Sequence, residues 1–156
     1  MNVYNIQQIL ERCHPNICRD IMTSFDIFDK NDNKTIRMRI YSEYEHLFDV
    51  DTCQEAATYG RLECLKYAHD NGCPWNESTC TYAAVNRHLE CLKYARDNGC
   101  PWNESVCSCA AYFGHLDCLK YAHENGCQWN KKTCQYAEWH GSLDCLKYAH
   151  ENGCPH

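Results

Sequence analysis

The spacing of apolar and polar positions changes character at residue 46 and from there repeats every 27 residues without a gap. The copies run 46–72, 73–99, 100–126 and 127–153, and Cys154-Pro155-His156 opens a fifth. Within the second copy, Cys80, Ala83 and Ala84 recur at the spacing of one helix face, and Leu89, Leu92 and Ala95 do so again after a short break. Cys91 and Tyr94 flank the second stripe. The first stripe is narrow and built of small side chains, which lets a second helix come close. The pattern predicts two short helices per copy, joined as a hairpin.

The polar residues between the stripes supply the punctuation. Asn76 is placed to cap the first helix, because its side-chain oxygen can accept from first-turn amides, and Glu77 favours the positive helix end. The first helix ends near Arg87, where two other copies carry Gly114 and Gly141. His88, with Arg61, His115 and Ser142 in the other copies, is the cap candidate for the second helix. Each copy closes on Asn-Gly, at Gly72, Gly99, Gly126 and Gly153, where a left-handed residue ends a helix without strain in glycine. One hairpin cannot bury its apolar stripe alone, so the copies stack side by side. The expected fold is an all-α solenoid of helical hairpins over 46–156.

Residues 1–45 do not follow the repeat. Val3, Ile6, Ile9, Leu10 and Cys13 have helical spacing, and so do Ile17, Ile21, Phe25 and Phe28. A polar break follows at Asp29 to Lys34. Ile36 to Ile40 alternates like a strand, but a degenerate helix running to Glu45 suits a solenoid better. The segment is read as an N-terminal helical cap.

Several phrases carry a family resemblance. Thr79-Cys80-Thr81-Tyr82-Ala83-Ala84 followed by Arg87-His88-Leu89-Glu90 resembles the ankyrin signature, as does Gly114-His115-Leu116-Asp117, and Asp97-Asn98-Gly99-Cys100 resembles its closing turn. An ankyrin repeat runs about 33 residues and includes a β-turn finger, so about six residues are missing here. Pro-Trp-Asn stands in the finger's place. With its Cys-Pro-Trp and Cys-Leu-Lys-Tyr-Ala phrases, this short form resembles the ankyrin-like repeats abundant in giant viruses of amoebae. The resemblance implies an ankyrin-like solenoid without β-fingers that binds a protein partner and performs no chemistry, in the host cytoplasm or in the virion. Ile9-Leu10 and Asn16-Ile17-Cys18-Arg19 through Phe25 also resemble the later part of an F-box. That implies an alternative, a substrate adaptor that docks residues 1–45 onto a cullin-type ubiquitin ligase. A structural or virion component is the other alternative.

Composition narrows the choice of function. Apolar residues make up 44% of the 156 and charged residues 23%, enough to bury a core. A net charge of −6 argues against a nucleic-acid or anionic-membrane surface. No run approaches the roughly 18 apolar residues of a membrane span, and Met1 to Cys13 reads as no secretory leader. Fifteen cysteines and nine histidines raise the question of metal. There is no Cys-x₂-Cys pair, and Cys recurs instead at fixed places in each copy. Equivalent residues of stacked copies sit one helix spacing apart, roughly 8–10 Å. That is too far for one zinc site or for a disulfide, whose Cα atoms lie about 4.4–6.8 Å apart. Without a leader and with an odd count, reduced cytosolic thiols packing as small apolar residues are expected. Nucleophilic catalysis would need one Cys distinguished from its copies, and no such Cys stands out. No cofactor, metal or catalytic residue is assigned.

The remaining positions divide into repeated and variable. Lys66, Lys93, Lys120 and Lys147 each follow an acid by three residues, as exposed helix pairs do. His69, Arg96, His123 and His150 read as cations near a helix C-terminus, and Trp75, Trp102 and Trp129 as packing between repeats. In the last copy Glu138 replaces the alanine of the others, beside Lys131 and Lys132, as a polar terminal face requires. The copies differ most at the end of the first helix: Glu55/Tyr82/Cys109/Tyr136, Thr58/Val85/Tyr112/Trp139 and Tyr59/Asn86/Phe113/His140. In ankyrins this end lines the concave binding surface. The candidate protein-binding residues are therefore Tyr82, Tyr112, Phe113, Tyr136, Trp139 and His140, with packing against the next repeat as the competing explanation of the same aromatics.

Overall fold

The computed structural model describes residues 50–155 except Asn71; the segment 1–45, read above as a helical cap with an F-box-like stretch, lies outside the described residues. Eight helices of nine residues each follow one another: α1 Val50–Thr58, α2 Leu62–Asp70, α3 Glu77–Val85, α4 Leu89–Asp97, α5 Glu104–Tyr112, α6 Leu116–Glu124, α7 Lys131–Trp139 and α8 Leu143–Glu151. Among the described residues there is no strand. The fold is an all-α solenoid of four hairpins, α1–α2 through α7–α8, whose first helices start 27 residues apart.

Local chemistry sets each boundary. The Asn76, Asn103 and Asn130 side chains each accept from the amide two residues on, all at 2.9 Å, and so satisfy one orphan donor per first helix. At the end of α4 the Gly99 amide donates to Arg96 O (3.0 Å) and the Cys100 amide to Ala95 O (2.9 Å), a paired closure that needs the positive φ of 85° found at Gly99. The Asn98, Asn125 and Asn152 side chains add a bond to the carbonyl of Tyr94, Tyr121 and Tyr148, each at 2.8 Å. The Asn-Gly dipeptide therefore closes the second helix with both its side chain and its backbone. The first helices end in the same way at Gly60, Gly114 and Gly141, whereas Arg87 occupies the left-handed region with φ 61° despite its Cβ.

The expected caps of the second helices act differently. His88, His115 and Ser142 make no side-chain bond to the helix they precede. Instead His115 Nε2–H donates to Val85 O at 2.9 Å, and the Ser142 hydroxyl donates to Tyr112 O at 3.4 Å. Both acceptors are the last carbonyl of the first helix one repeat earlier, a group without an intrahelical donor. A residue that reads locally as a cap is thus a tie between repeats.

Packing separates two rows of helices. The first helices α1, α3, α5 and α7 lie closer to one another than the second helices do. Their contact faces are Cys53, Ala56 and Ala57, then Cys80, Ala83 and Ala84, then Cys107, Ala110 and Ala111, all wholly buried. Leu65, Leu92 and Leu119 fill the layer beneath the second helices, and Leu146 is half-buried. Glu138, in the alanine column, is exposed because no described helix packs beyond α7.

Two glycines separate conformational strain from crowding. A Cβ at Gly99 meets nothing within 4 Å, so Gly99→Ala costs only its left-handed backbone, about 1 kcal/mol. At Gly60 (φ 70°) a Cβ would collide with the His88 imidazole ring of the next repeat. Gly60→Ala is expected to cost at least about 2 kcal/mol, adding overpacking to the same strain. Urea unfolding of the two variants checks the order, and equal losses would contradict it.

Candidate protein-binding surface

The ends of the first helices project a row of side chains that stacking leaves free to differ. Four of the six candidates are exposed: Tyr82 at 40%, Phe113 at 49%, Trp139 at 70%, and His140. Tyr112 and Tyr136 are half-buried. The structure brings five of the six together. Tyr112 is the hub, with ring centroids 3.5 Å from His140, 4.8 Å from Phe113 and 5.7 Å from Tyr136. Trp139 joins through Tyr136 at 5.6 Å, and Phe113 stacks over His115 at 6.1 Å. Tyr82 stands apart, because its column carries Cys109, not an aromatic ring, in the next repeat. Tyr112 and Tyr136 pack between repeats, while Phe113, Trp139 and His140 are exposed to solvent.

Two further apolar residues, outside the six candidates, are also exposed. Tyr59 is 46% exposed, in the same variable column as Phe113. Leu143 is 73% exposed, whereas its copies Leu62, Leu89 and Leu116 are half-buried. It sits inside the most repeated phrase of the chain, so no sequence signal distinguishes it; among the described residues, no helix lies beyond α8 to cover it. Near the same helix ends Arg87 Nε bonds Asp117 Oδ2 at 3.1 Å across a repeat boundary. Burial of Asp117 works against its charge, but Arg87 and the Cys118 amide outweigh it and hold the carboxyl below its usual range.

The opposite edge is built for cohesion. His69 stacks on Trp75 with centroids 3.7 Å apart, His123 stacks on Trp129 at 3.7 Å, and the Arg96 guanidinium lies 4.4 Å above Trp102. His and Arg share this column because both lay a planar group on an indole face. The tryptophan explains the alternation, which the helix C-terminus alone does not. Tyr94 and Tyr121 meet the same indoles edge-on and donate to Asp70 (3.4 Å) and Asp97 (3.3 Å) of the preceding repeat. Burial and then the Asp97 charge push the Tyr121 phenol up to about 12.

The lysine pairs form only where the acid reaches. Lys66–Glu63 and Lys93–Glu90 close at 2.9 and 2.8 Å. In the later repeats the acid is Asp, one methylene shorter, and the pairing changes. Asp117 takes Arg87, Lys120 lies 5.4 Å over the Tyr148 ring, and Lys147 turns to Glu151 at 4.0 Å.

Among the described residues no three His, Cys, Asp or Glu groups converge as a metal site would require. Every described cysteine is a thiol, and only Cys109 is more than marginally exposed. Burial, then the Cys64 neighbour, pushes Cys91 up to about 12; burial, then the Asp117 charge, does the same for Cys118. A folded-state value raised above the ordinary 9.0 gives stability that is fully present below about pH 9 and is lost as pH rises towards about 12. Melting midpoints in excess reductant should therefore fall steadily across pH 9–12, and the fall should be shallower in a Cys91→Ala, Cys118→Ala double variant. An unchanged slope would remove the thiols from the explanation. At neutral pH, chelator plus reductant should leave the midpoint where it is, and a large drop would reveal a metal or disulfide dependence.

Comparison with known proteins agrees with this architecture. No curated protein matches the chain. The family model described as ankyrin repeats (many copies) matches twice, over residues 80–123 and 107–150. The overlapping matches each span parts of consecutive hairpins, in the register of α3 through α8. Over residues 80–150 the 27-residue repeats match the ankyrin-repeat model in a shortened form.

Proposed function

We propose that this array is a non-catalytic scaffold that binds a protein partner through the ends of its first helices, centred on Phe113, Trp139 and His140. Ankyrin repeats are in general protein–protein interaction modules, and the family is typically non-catalytic. The observation that carries the reading is the aromatic cluster of the third and fourth repeats. Its base, Tyr112 and Tyr136, is held by inter-repeat packing, and its tip is offered to solvent. Aromatics supported in this way lose little side-chain entropy on docking and are over-represented among interface hot spots. The closer packing of the first-helix row supports the ankyrin-type concave side as the one that receives the partner. The reduced thiols of the core suit a cytoplasmic setting.

Truncation of base and tip should give opposite results. Phe113→Ala and Trp139→Ala are expected to fold almost normally and to weaken partner binding by about 2 kcal/mol, roughly 30-fold. Tyr112→Ala should lower stability by about 2–3 kcal/mol, since it removes three ring contacts. Lys93→Ala, on the second helix of its repeat, should change neither. The measurement pairs a thermal melt with affinity capture, comparing proteins retained by the wild-type chain and lost by a Phe113→Ala, Trp139→Ala double variant. An identical set of captured proteins would move the interface elsewhere.

A further inference from the structure

Equivalent cysteines of successive repeats lie one helix spacing apart, but non-equivalent cysteines meet. The thiols of Cys80 and Cys100 are neighbours, as are those of Cys107 and Cys127 and those of Cys134 and Cys154. Each pair joins the middle of a first helix to the residue after that repeat's closing glycine. The second sulfur is fixed by the backbone. Cys100, Cys127 and Cys154 donate to the carbonyls of Asn76, Asn103 and Asn130 at 3.2, 3.2 and 3.5 Å. These are the N-cap residues of the helices that carry Cys80, Cys107 and Cys134. Cys107 Sγ also lies 3.9 Å from Cys127 O, and Cys134 and Cys154 share one apolar cluster with Ala149. Cys53 extends the pattern at the other end, with its thiol 3.8 Å from Cys73 O.

We propose that these three thiol pairs are sites of oxidative modification, each able to close as a disulfide that staples a first helix to the opening of the following repeat. Neighbouring sulfurs held against the same first helix must close to the roughly 2.05 Å of a disulfide. The oxidant is a low-molecular-weight disulfide such as glutathione disulfide. One protein thiolate attacks it, breaking the reagent S–S bond, releasing one glutathione thiolate and leaving a mixed disulfide. The second protein thiolate then attacks the protein sulfur of that mixed disulfide and releases the second glutathione. Two protein S–H bonds are lost and one S–S bond forms, and the two electrons and two protons leave with two glutathione thiols.

Burial sets the order. Cys80, Cys100 and Cys107 are wholly buried and Cys127 nearly so, while Cys134 and Cys154 lie under a last hairpin with no described helix beyond it. Burial, then the neighbouring Cys154 thiol, pushes Cys134 up to about 12, less far than Cys80 and Cys107, where the partner thiol is the larger cause. Cys134–Cys154 closes first. Cys109, half-buried and outside these pairs, stops at the mixed disulfide with glutathione.

The whole chain, incubated with glutathione disulfide under native conditions, alkylated, digested and mapped by mass spectrometry, tests this. The expected products are a Cys134–Cys154 link, then Cys107–Cys127 and Cys80–Cys100, each two hydrogens lighter than the reduced pair, with helical circular dichroism retained throughout. Cys154→Ser should abolish the first link and leave the other two. Glutathione adducts at Cys134 or Cys154 that never close, links between other cysteines, or links formed only after helicity is lost would each overturn the proposal. If the Ser variant fails to fold, the map of the wild-type chain still decides.

Discussion

Everything in this array depends on how closely the first helices approach one another. Their facing columns are alanine and cysteine, wholly buried through the first three repeats. A larger side chain in either column would force neighbouring hairpins apart and open the layer that Leu65, Leu92 and Leu119 fill. The high cysteine content follows from the same constraint. Cysteine is a small, polarizable apolar residue, and its thiol can also donate to a carbonyl at a helix start, as Cys100 does to Asn76.

A tight inner row leaves the outer row to be closed by longer side chains. Trp75, Trp102 and Trp129 do so at successive junctions, each with a planar cationic or imidazole group on one face and a tyrosine on its edge. Polar ties accompany them, from His115 to Val85 O, from Tyr121 to Asp97 and from Arg87 to Asp117. These contacts are directional, so they fix the register of one repeat on the next, which a purely apolar layer of small residues would leave loosely specified. Stability and surface variation are thereby separated. The stacked columns carry cohesion, and the projecting ends of the first helices can differ from repeat to repeat without disturbing it. The clustering of Phe113, Trp139 and His140 on a packed base of tyrosines is what such a division of labour allows.

Much of this was legible in the sequence because its cause is local or repeated. The 27-residue period, the Asn76 cap and the left-handed Gly99 each depend on a few adjacent residues, and four copies amplify the signal. The variable columns followed from the same alignment of copies. The sequence alone therefore determined an all-α hairpin solenoid, its helix ends and the columns in which its copies differ. It could not divide the aromatics of those columns into base and tip, because Tyr112 and Trp139 occupy the same column and differ only in whether a further repeat covers them. It read His115 and Ser142 as side-chain caps, whereas in the fold each bonds a carbonyl of the preceding repeat. Comparing cysteines only with their own copies also hid the thiol pairs, since Cys80 meets Cys100 and not Cys107. These features were decided by the tertiary structure, because each is a contact between non-equivalent positions of two repeats. A repeating sequence specifies what each position is, but stacking geometry specifies what it touches.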